Sequence, residues 1–404
     1  MKRAIWTFTF LWLLSALGFG QARLICQLSP GVDPAFVAAR YQIILKDRTD
    51  GAPFALFEAS NIDVAHAVQQ AMLSDIDVVW AEDDQGMTTP ETEKAKTVPQ
   101  KGSTLPAVGD RIALYAANKN MLIQINWNQA TANLPGRNVR IAILDTGLSP
   151  YQPYLWEKVD ASMNAIDANL PAYDLPKFVN QSRNGPNDQL TGHGTMVAGI
   201  IDQISPKSRF VIARVANSDG LASAWTVVKG LAFAVVQGAE VANVSLGSLN
   251  RIPAMTDVME WCETNNLLVV AAIGNNGLEA ACYPATVKKV VCTGGLNPNN
   301  TKAGFSNWDR ECDVSAPATG IISQNWNGTL GNWSGTSFST PMAAATAIEA
   351  LRLTRPLAPS VLRNLFDTSG RDLDALNPDY QRKLGKLLDF SAYIAAANGF
   401  RPRR

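Results

Sequence analysis

The stretch Val139–Leu144 (VRIAIL) is an apolar run broken only by Arg140. Such a run is typical of a strand buried on both faces, which belongs in a sheet covered by helices on both sides. Comparable runs recur at Phe210–Val215, Val241–Leu246, Leu267–Ile273 (LLVVAAI) and Val287–Thr293. Helical stretches lie between and after them, at Gly194–Ile204, Ala222–Gln237, Pro253–Thr264 and Ser337–Leu353. Strands alternating with helices imply an α/β fold, with a doubly wound, mostly parallel sheet. In such sheets, sites form beyond the carboxyl ends of the strands. A chain of 404 residues with 47% hydrophobic content has room for one large domain and a smaller one.

The part before residue 109 reads differently. Met1-Lys2-Arg3 precedes an apolar run from Ala4 to Phe19, with small residues at Gly20 and Ala22. This pattern predicts a secretory signal peptide over residues 1–22, and nothing later in the chain reads as a membrane span. Residues 23–85 read as a small α+β module, with strands at Arg23–Leu28, Tyr41–Lys46, Phe54–Glu58 and Asp77–Glu82 and helices at Asp33–Ala39 and Ile62–Leu73. His66 falls on the second helix and is read as a structural or surface residue. Residues 86–108 are polar, rich in Pro and Gly and without periodicity, which predicts an exposed linker open to proteolysis.

Lys+Arg and Asp+Glu number 35 each, so net charge gives no reason to expect capture of nucleic acid. Five cysteines occur, and none has the C-x-x-C spacing of a metal or redox site. In an exported chain, Cys262, Cys282, Cys292 and Cys312 could pair in three ways or remain buried thiols.

Three residues stand where chemistry is expected. Asp145 follows VRIAIL at the strand's carboxyl end; alone it would also fit a phosphatase nucleophile or a metal site, although Gly147 stands where such phosphatases carry a second Asp. His193, in Gly-His-Gly-Thr-Met-Val-Ala-Gly, is the only histidine of the large domain. Ser337, in Gly335-Thr336-Ser337-Phe338-Ser339-Thr340-Pro341, opens an Ala-rich helix, with Pro341 read as lying in its first turn. Free N–H groups and the helix dipole there suit either a plain cap or a nucleophile whose reaction creates an oxyanion. Asn275, in Ile-Gly-Asn-Asn-Gly, is either a turn residue or an amide donor to that oxyanion. The chain order Asp, His, Ser differs from that of chymotrypsin and of the α/β-hydrolases.

IAILDTG, GHGTMVAG, NVSLGS, AAIGNNG and GTSFSTPMAAA, in that order, resemble the motifs of subtilisin-like serine proteases, the subtilases. Residues 23–85 resemble the family's inhibitory propeptide. The resemblance implies a subtilisin-like catalytic domain over 109–398 and a maturation site within 86–108. It implies a secreted endopeptidase made as a self-processing zymogen and acting on protein or peptide substrates as a monomer. Ser337 would attack the peptide carbonyl, His193 would act as base and acid, and Asp145 would orient the imidazole. Asn275 would stabilise the oxyanion. Ser245, Leu246 and Gly247 would pair with an extended substrate, and Ala272 and Gly274 would line the pocket for the residue before the cut. An acyl transferase using the same triad, or an inactive relative serving as a binding module, are the alternatives.

Two departures from the family pattern bear on detail. The loop that many subtilases use for a tight calcium site is missing after GHGTMVAG, so no cofactor or metal is expected there, and Asp313 alone is a thin basis for a weaker ion site. Cys282 stands where relatives often have glycine at the base of the specificity pocket, which predicts a preference for small or medium apolar residues.

Overall fold

The computed structural model describes residues 22–92, 111–176 and 190–400. The expected signal peptide and the remainder of the linker beyond Thr92 lie outside the described residues.

The N-terminal module is a four-stranded antiparallel sheet, β1 (Arg23–Leu28), β2 (Ile44–Arg48), β3 (Phe54–Glu58) and β4 (Val78–Asp83), in the order β2-β3-β1-β4. Helices α1 (Pro34–Tyr41) and α2 (Ile62–Met72) start where sequence chemistry asks them to. The Asp33 and Asn61 side chains accept from the N–H groups of Ala35 and Val64, the usual N-cap bonds. One face of the sheet buries Leu24, Cys26, Ala55 and Phe57 with Val37, Val68 and Met72 of the helices. His66 is largely exposed on α2, 3.7 Å from Asp83. The fifth strand, β5 (Gly86–Thr88), leaves the module.

The large domain is built on eight parallel strands: β6 (Arg140–Asp145), β7 (Val159–Asn164), β8 (Arg209–Arg214), β10 (Val241–Val244), β11 (Leu268–Ala272), β12 (Val290–Leu296), β13 (Val314–Pro317) and β16 (Lys386–Leu387). Their order is β16-β13-β12-β11-β10-β6-β8-β7, a doubly wound sheet. Alternation of side chains sorts β6 between two cores. Ile141 and Ile143 face α3 (His193–Ile204), α6 (Thr336–Leu353) and α8 (Phe390–Gly399), while Ala142 and Leu144 face α4 (Ala224–Val236) and α5 (Ala254–Thr264). Helix α7 (Pro359–Ser369) joins the first layer, and β9 (Leu221–Ser223), β14 (Ile321–Gln324) and β15 (Leu330–Trp333) lie outside the main sheet.

The module docks on the second layer. Ile25, Phe54 and Leu56 join the core that contains α4 and α5, and the Phe54 ring meets Trp261 edge-on at 5.2 Å. The Asp47 carboxylate accepts from Trp225 Nε1 at 3.1 Å and pairs with Lys229 at 2.7 Å. Asp84 accepts from Trp225 N–H at 2.9 Å, so a carboxylate from the module sits at the positive end of α4.

One sequence expectation is corrected here. Residues 86–92 are not an exposed stretch: Met87, Thr88, Thr89 and Glu91 are 0–6% exposed. The segment reads as linker because it is polar and short, but main-chain pairing with the large domain buries it, and polarity does not report that pairing. All five cysteines are buried, with no disulfide among the described residues. No helix among the described residues is long and apolar enough to cross a membrane.

Candidate active site

The carboxyl ends of β6, β10 and β11 and the amino ends of α3 and α6 converge on one point. Asp145 closes β6, His193 is the first residue of α3, and Ser337 is the second residue of α6. All three are fully buried. Gly192 caps α3 with φ +96°, a conformation open to glycine, and this turn delivers His193 to Asp145. His193 Nδ1 lies 2.7 Å from Asp145 Oδ1, and the same oxygen accepts from Thr146 N–H at 2.7 Å. The Trp333 and Phe338 rings flank the imidazole at 6.0 and 5.3 Å.

Asn275 is held by its own acceptor. Its Oδ1 takes the Thr336 N–H and the Thr336 hydroxyl, both at 2.9 Å, which fixes the orientation of the amide and leaves Nδ2 as the donor. Sequence reasoning brought Asp145, His193, Asn275 and Ser337 to one site, and the structure places them together.

Pro341 departs from expectation. It is the sixth residue of α6, not part of its first turn. Having no N–H, it leaves the Ser337 carbonyl without the usual helical partner. The Ser245 hydroxyl donates to that carbonyl at 3.0 Å instead. Ser245 thus supports the nucleophile's helix as well as standing at the end of β10.

The expected substrate-binding strand is occupied. Thr88 and Gly247 exchange both main-chain hydrogen bonds, at 3.0 and 2.7 Å, and on the other side β5 pairs antiparallel with β9. Thr89 N–H donates to Gly220 C=O at 2.8 Å. Leu246 is buried between Ser245 and Gly247. Buried Ala272 ends β11, and Gly274 follows with φ +115°. A Cβ on Gly274 would come within 2.7 Å of Cys282 Sγ, and one on Gly247 within 2.8 Å of Cys282 Cβ. Cys282 therefore stands against both glycines.

Two functional candidates went unread in the sequence. The first is Glu91. Its Oε2 accepts from the Ser337 hydroxyl at 2.7 Å and lies 3.1 Å from His193 Nε2, and its Oε1 accepts from Asn275 Nδ2 at 2.8 Å. Ser337 and His193 are thereby joined through a carboxylate oxygen. Burial alone would push the imidazole down; the carboxylates of Asp145 and Glu91, one on each ring nitrogen, outweigh it and raise His193 to about 10. The second is Asp174, fully buried, which accepts from the N–H groups of Gly192 and Thr195 and from the Thr195 hydroxyl, at 2.9, 3.1 and 2.7 Å. It pins the first turn of α3, although burial pushes its carboxyl up to about 6. A Pro-Glu step in a polar stretch and a lone Asp among loop residues carry no periodicity, so neither had a signal to follow.

No group of three or more His, Cys, Asp or Glu that could hold a metal ion occurs among the described residues. Asp313 Oδ2 accepts from Cys292 N–H at 2.7 Å, a structural use of the carboxylate that was weighed as an ion ligand.

The sequence profile of the subtilase family matches residues 136–385, which takes in all four residues of the convergence and the paired strand. The chain belongs to the subtilase family. It is 34% identical over 217 residues to a cell wall-associated protease of Bacillus subtilis (strain 168), covering 51% of this chain and 23% of that protein. It is 28% identical over 246 residues to an intracellular serine protease of Paenibacillus polymyxa, covering 57% and 70%. With subtilisin amylosacchariticus of Bacillus subtilis subsp. amylosacchariticus it shares 29% over 225 residues, 52% of this chain and 55% of that protein. Of these relatives, the chain thus spans less than two thirds of the first and third. The fold is also that of fervidolysin from Fervidobacterium pennivorans, a keratinolytic enzyme related to subtilisin, with TM-score 0.71, 17% identity, and coverage of 93% of this chain and 61% of that one. A cold-adapted subtilisin-like serine proteinase gives 0.55 and 23%, over 65% of this chain and 98% of its own. The subtilisin-like fold is shared at identities too low to carry substrate across.

Proposed function

We propose that this subtilase is a serine endopeptidase, exported and made as an inactive precursor, acting as a monomer on protein or peptide substrates. The observation that carries the reading is the path of residues 86–89. They lie in the cleft as an extended backbone, bonded to Gly247 on one side and to β9 and Gly220 on the other, and lead directly to Ser337. A cleft that grips main chain from both sides suits a peptide rather than a small acyl donor.

In the proposed reaction, Ser337 Oγ attacks the carbonyl carbon of the bound peptide bond while His193 Nε2 takes its proton. Asp145, on Nδ1, fixes the tautomer and stabilises the imidazolium. Charge collects on the former carbonyl oxygen, where Asn275 Nδ2 and the Ser337 N–H are placed to receive it. The imidazolium then protonates the leaving amine, and water releases the acyl group by the same steps in reverse. The reading assigns no metal to the chemistry. Calcium at the family's usual tight site is not expected, since α3 runs unbroken to Ile204 and four residues join it to β8.

Casein hydrolysis that is abolished by a sulfonyl fluoride and by Ser337→Ala is the expected result. Labelling of Ser337 without turnover of any peptide bond would overturn the reading. Self-processing is tested by Ser337→Ala as well, which is expected to stay full length; its conversion to a short form without added protease would rule self-processing out.

A further inference from the structure

We propose that Glu91 is an inhibitory ligand of the catalytic centre supplied in cis, a side-chain carboxylate that closes the oxyanion site and separates Ser337 from His193 until its turn withdraws. The proposal rests on the proteolytic reading above and adds to it one group and one set of contacts.

The cleft segment begins as a substrate would and then departs. Extending the antiparallel register from Thr88–Gly247 by two residues sets Pro90 opposite Ser245. Proline has no N–H to give the Ser245 carbonyl, so the ladder ends there. That carbonyl instead lies 3.5 Å from the Ser337 hydroxyl. The chain turns over Thr89-Pro90-Glu91-Thr92, closed by Thr92 N–H on Thr89 C=O at 3.0 Å. Proline at the second position favours such a turn. The two threonine hydroxyls are 2.9 Å apart across it, and Thr92 Oγ1 reaches Asp219 C=O at 3.3 Å. The turn delivers the Glu91 side chain, not a peptide carbonyl, to the oxyanion donor.

The fit is specific. The carboxylate spends one oxygen on Asn275 and the other on both Ser337 and His193. A Cβ on Gly335 would fall 1.9 Å from Glu91 Oε1, so the carboxylate occupies space that only glycine leaves open. The site is arranged for developing negative charge, and a carboxylate brings that charge ready-made. A carboxylate oxygen at each ring nitrogen favours the doubly protonated imidazole, and in that form His193 is no base for Ser337.

The test uses the full chain. A fluorophosphonate reagent is added and labelling of the uncut band is followed at short times for wild type, Glu91→Ala and Glu91→Gln. The Ala variant is expected to label about tenfold faster or more, the factor one charge-assisted hydrogen bond supplies, with Gln between the two. Added propionate should slow the Ala variant and leave wild type unaffected. Equal rates for all three chains would overturn the proposal. The second readout needs no catalysis. The chain has two histidines, so the ring protons of His193 and His66 can be titrated by NMR in the Ser337→Ala background. Glu91→Gln should lower the His193 midpoint by about one pH unit or more, because only Asp145 then faces the ring. An unchanged midpoint overturns the plug even if the chain cuts no peptide, and a lowered midpoint in a chain that cuts nothing leaves the plug standing while the proteolytic reading falls.

Discussion

Asn275, Asp145 and Cys282 each make a separable contribution. Asn275 Nδ2 is held in place by Thr336, so Asn275→Ala removes the donor and also leaves the Thr336 N–H and hydroxyl without their acceptor. The expected loss is about 100- to 1,000-fold in kcat with little change in KM, measured on a peptide amide once residues up to Thr92 have been released. Asp145→Asn should cost about 10,000-fold, since an amide on Nδ1 favours the wrong tautomer. Cys282 stands against Gly247 and Gly274, and Cys282→Gly clears that wall. The ratio of kcat/KM for Phe over Ala before the cut should rise in the Gly variant; a ratio that stays the same would mean that Cys282 does not set the pocket's depth.

The element that matters most is α6. It is buried along almost its whole length, including a charged pair, and it carries the nucleophile at its amino end. Arg352 binds both oxygens of Glu349, at 2.9 and 2.5 Å, and donates to the carbonyls of Leu134 and Ala132, while the Ser205 hydroxyl takes the other side of Glu349. Removing one member strands a buried charge, so Arg352→Ala should cost about 3–5 kcal/mol in urea unfolding. Replacing both Glu349 and Arg352 by leucine should cost much less than that single change. The helix was legible from its Ala-rich run, and so was the serine at its start. The place of Pro341 was not, because a proline's depth in a helix depends on where the first turn is stabilised, and here Asn275 and Ser245 provide that from other strands.

At the scale of the whole molecule, pH acts through buried carboxyls. Burial raises Asp174 to about 6 and Asp313 to about 7, from the ordinary 3.8 of an aspartate. A raised carboxyl pKa favours the folded state while the group is protonated. Its contribution is therefore complete below the unfolded value and is lost as pH rises through the folded one. The lowered groups Asp75, Asp160 and Glu263 act in the opposite sense, below the usual carboxylate range and outside this window. His193, raised to about 10, adds to the loss in the same sense, so the Ser337→Ala chain should be less stable at pH 8 than at pH 5 by on the order of 4–6 kcal/mol, with a flatter profile for Asp313→Asn. Equal urea midpoints at the two pH values would contradict this.

Residue patterning by itself determined the doubly wound sheet, because strands buried on both faces must be apolar throughout and helices between them must alternate. It also singled out Asp145, His193, Asn275 and Ser337 as candidates, because they stand at strand ends and helix starts, which a doubly wound sheet brings to one edge. Tertiary structure alone decided the fate of residues 86–92. Apart from Pro90 and from Met87, which joins the second core, their side chains are not apolar, and what holds the backbone is main-chain pairing with Gly247, Gly220 and β9, which depends little on side-chain identity. It likewise decided the roles of Glu91 and Asp174, whose carboxylates acquire meaning from N–H and O–H groups that folding brings from more than 15 residues away.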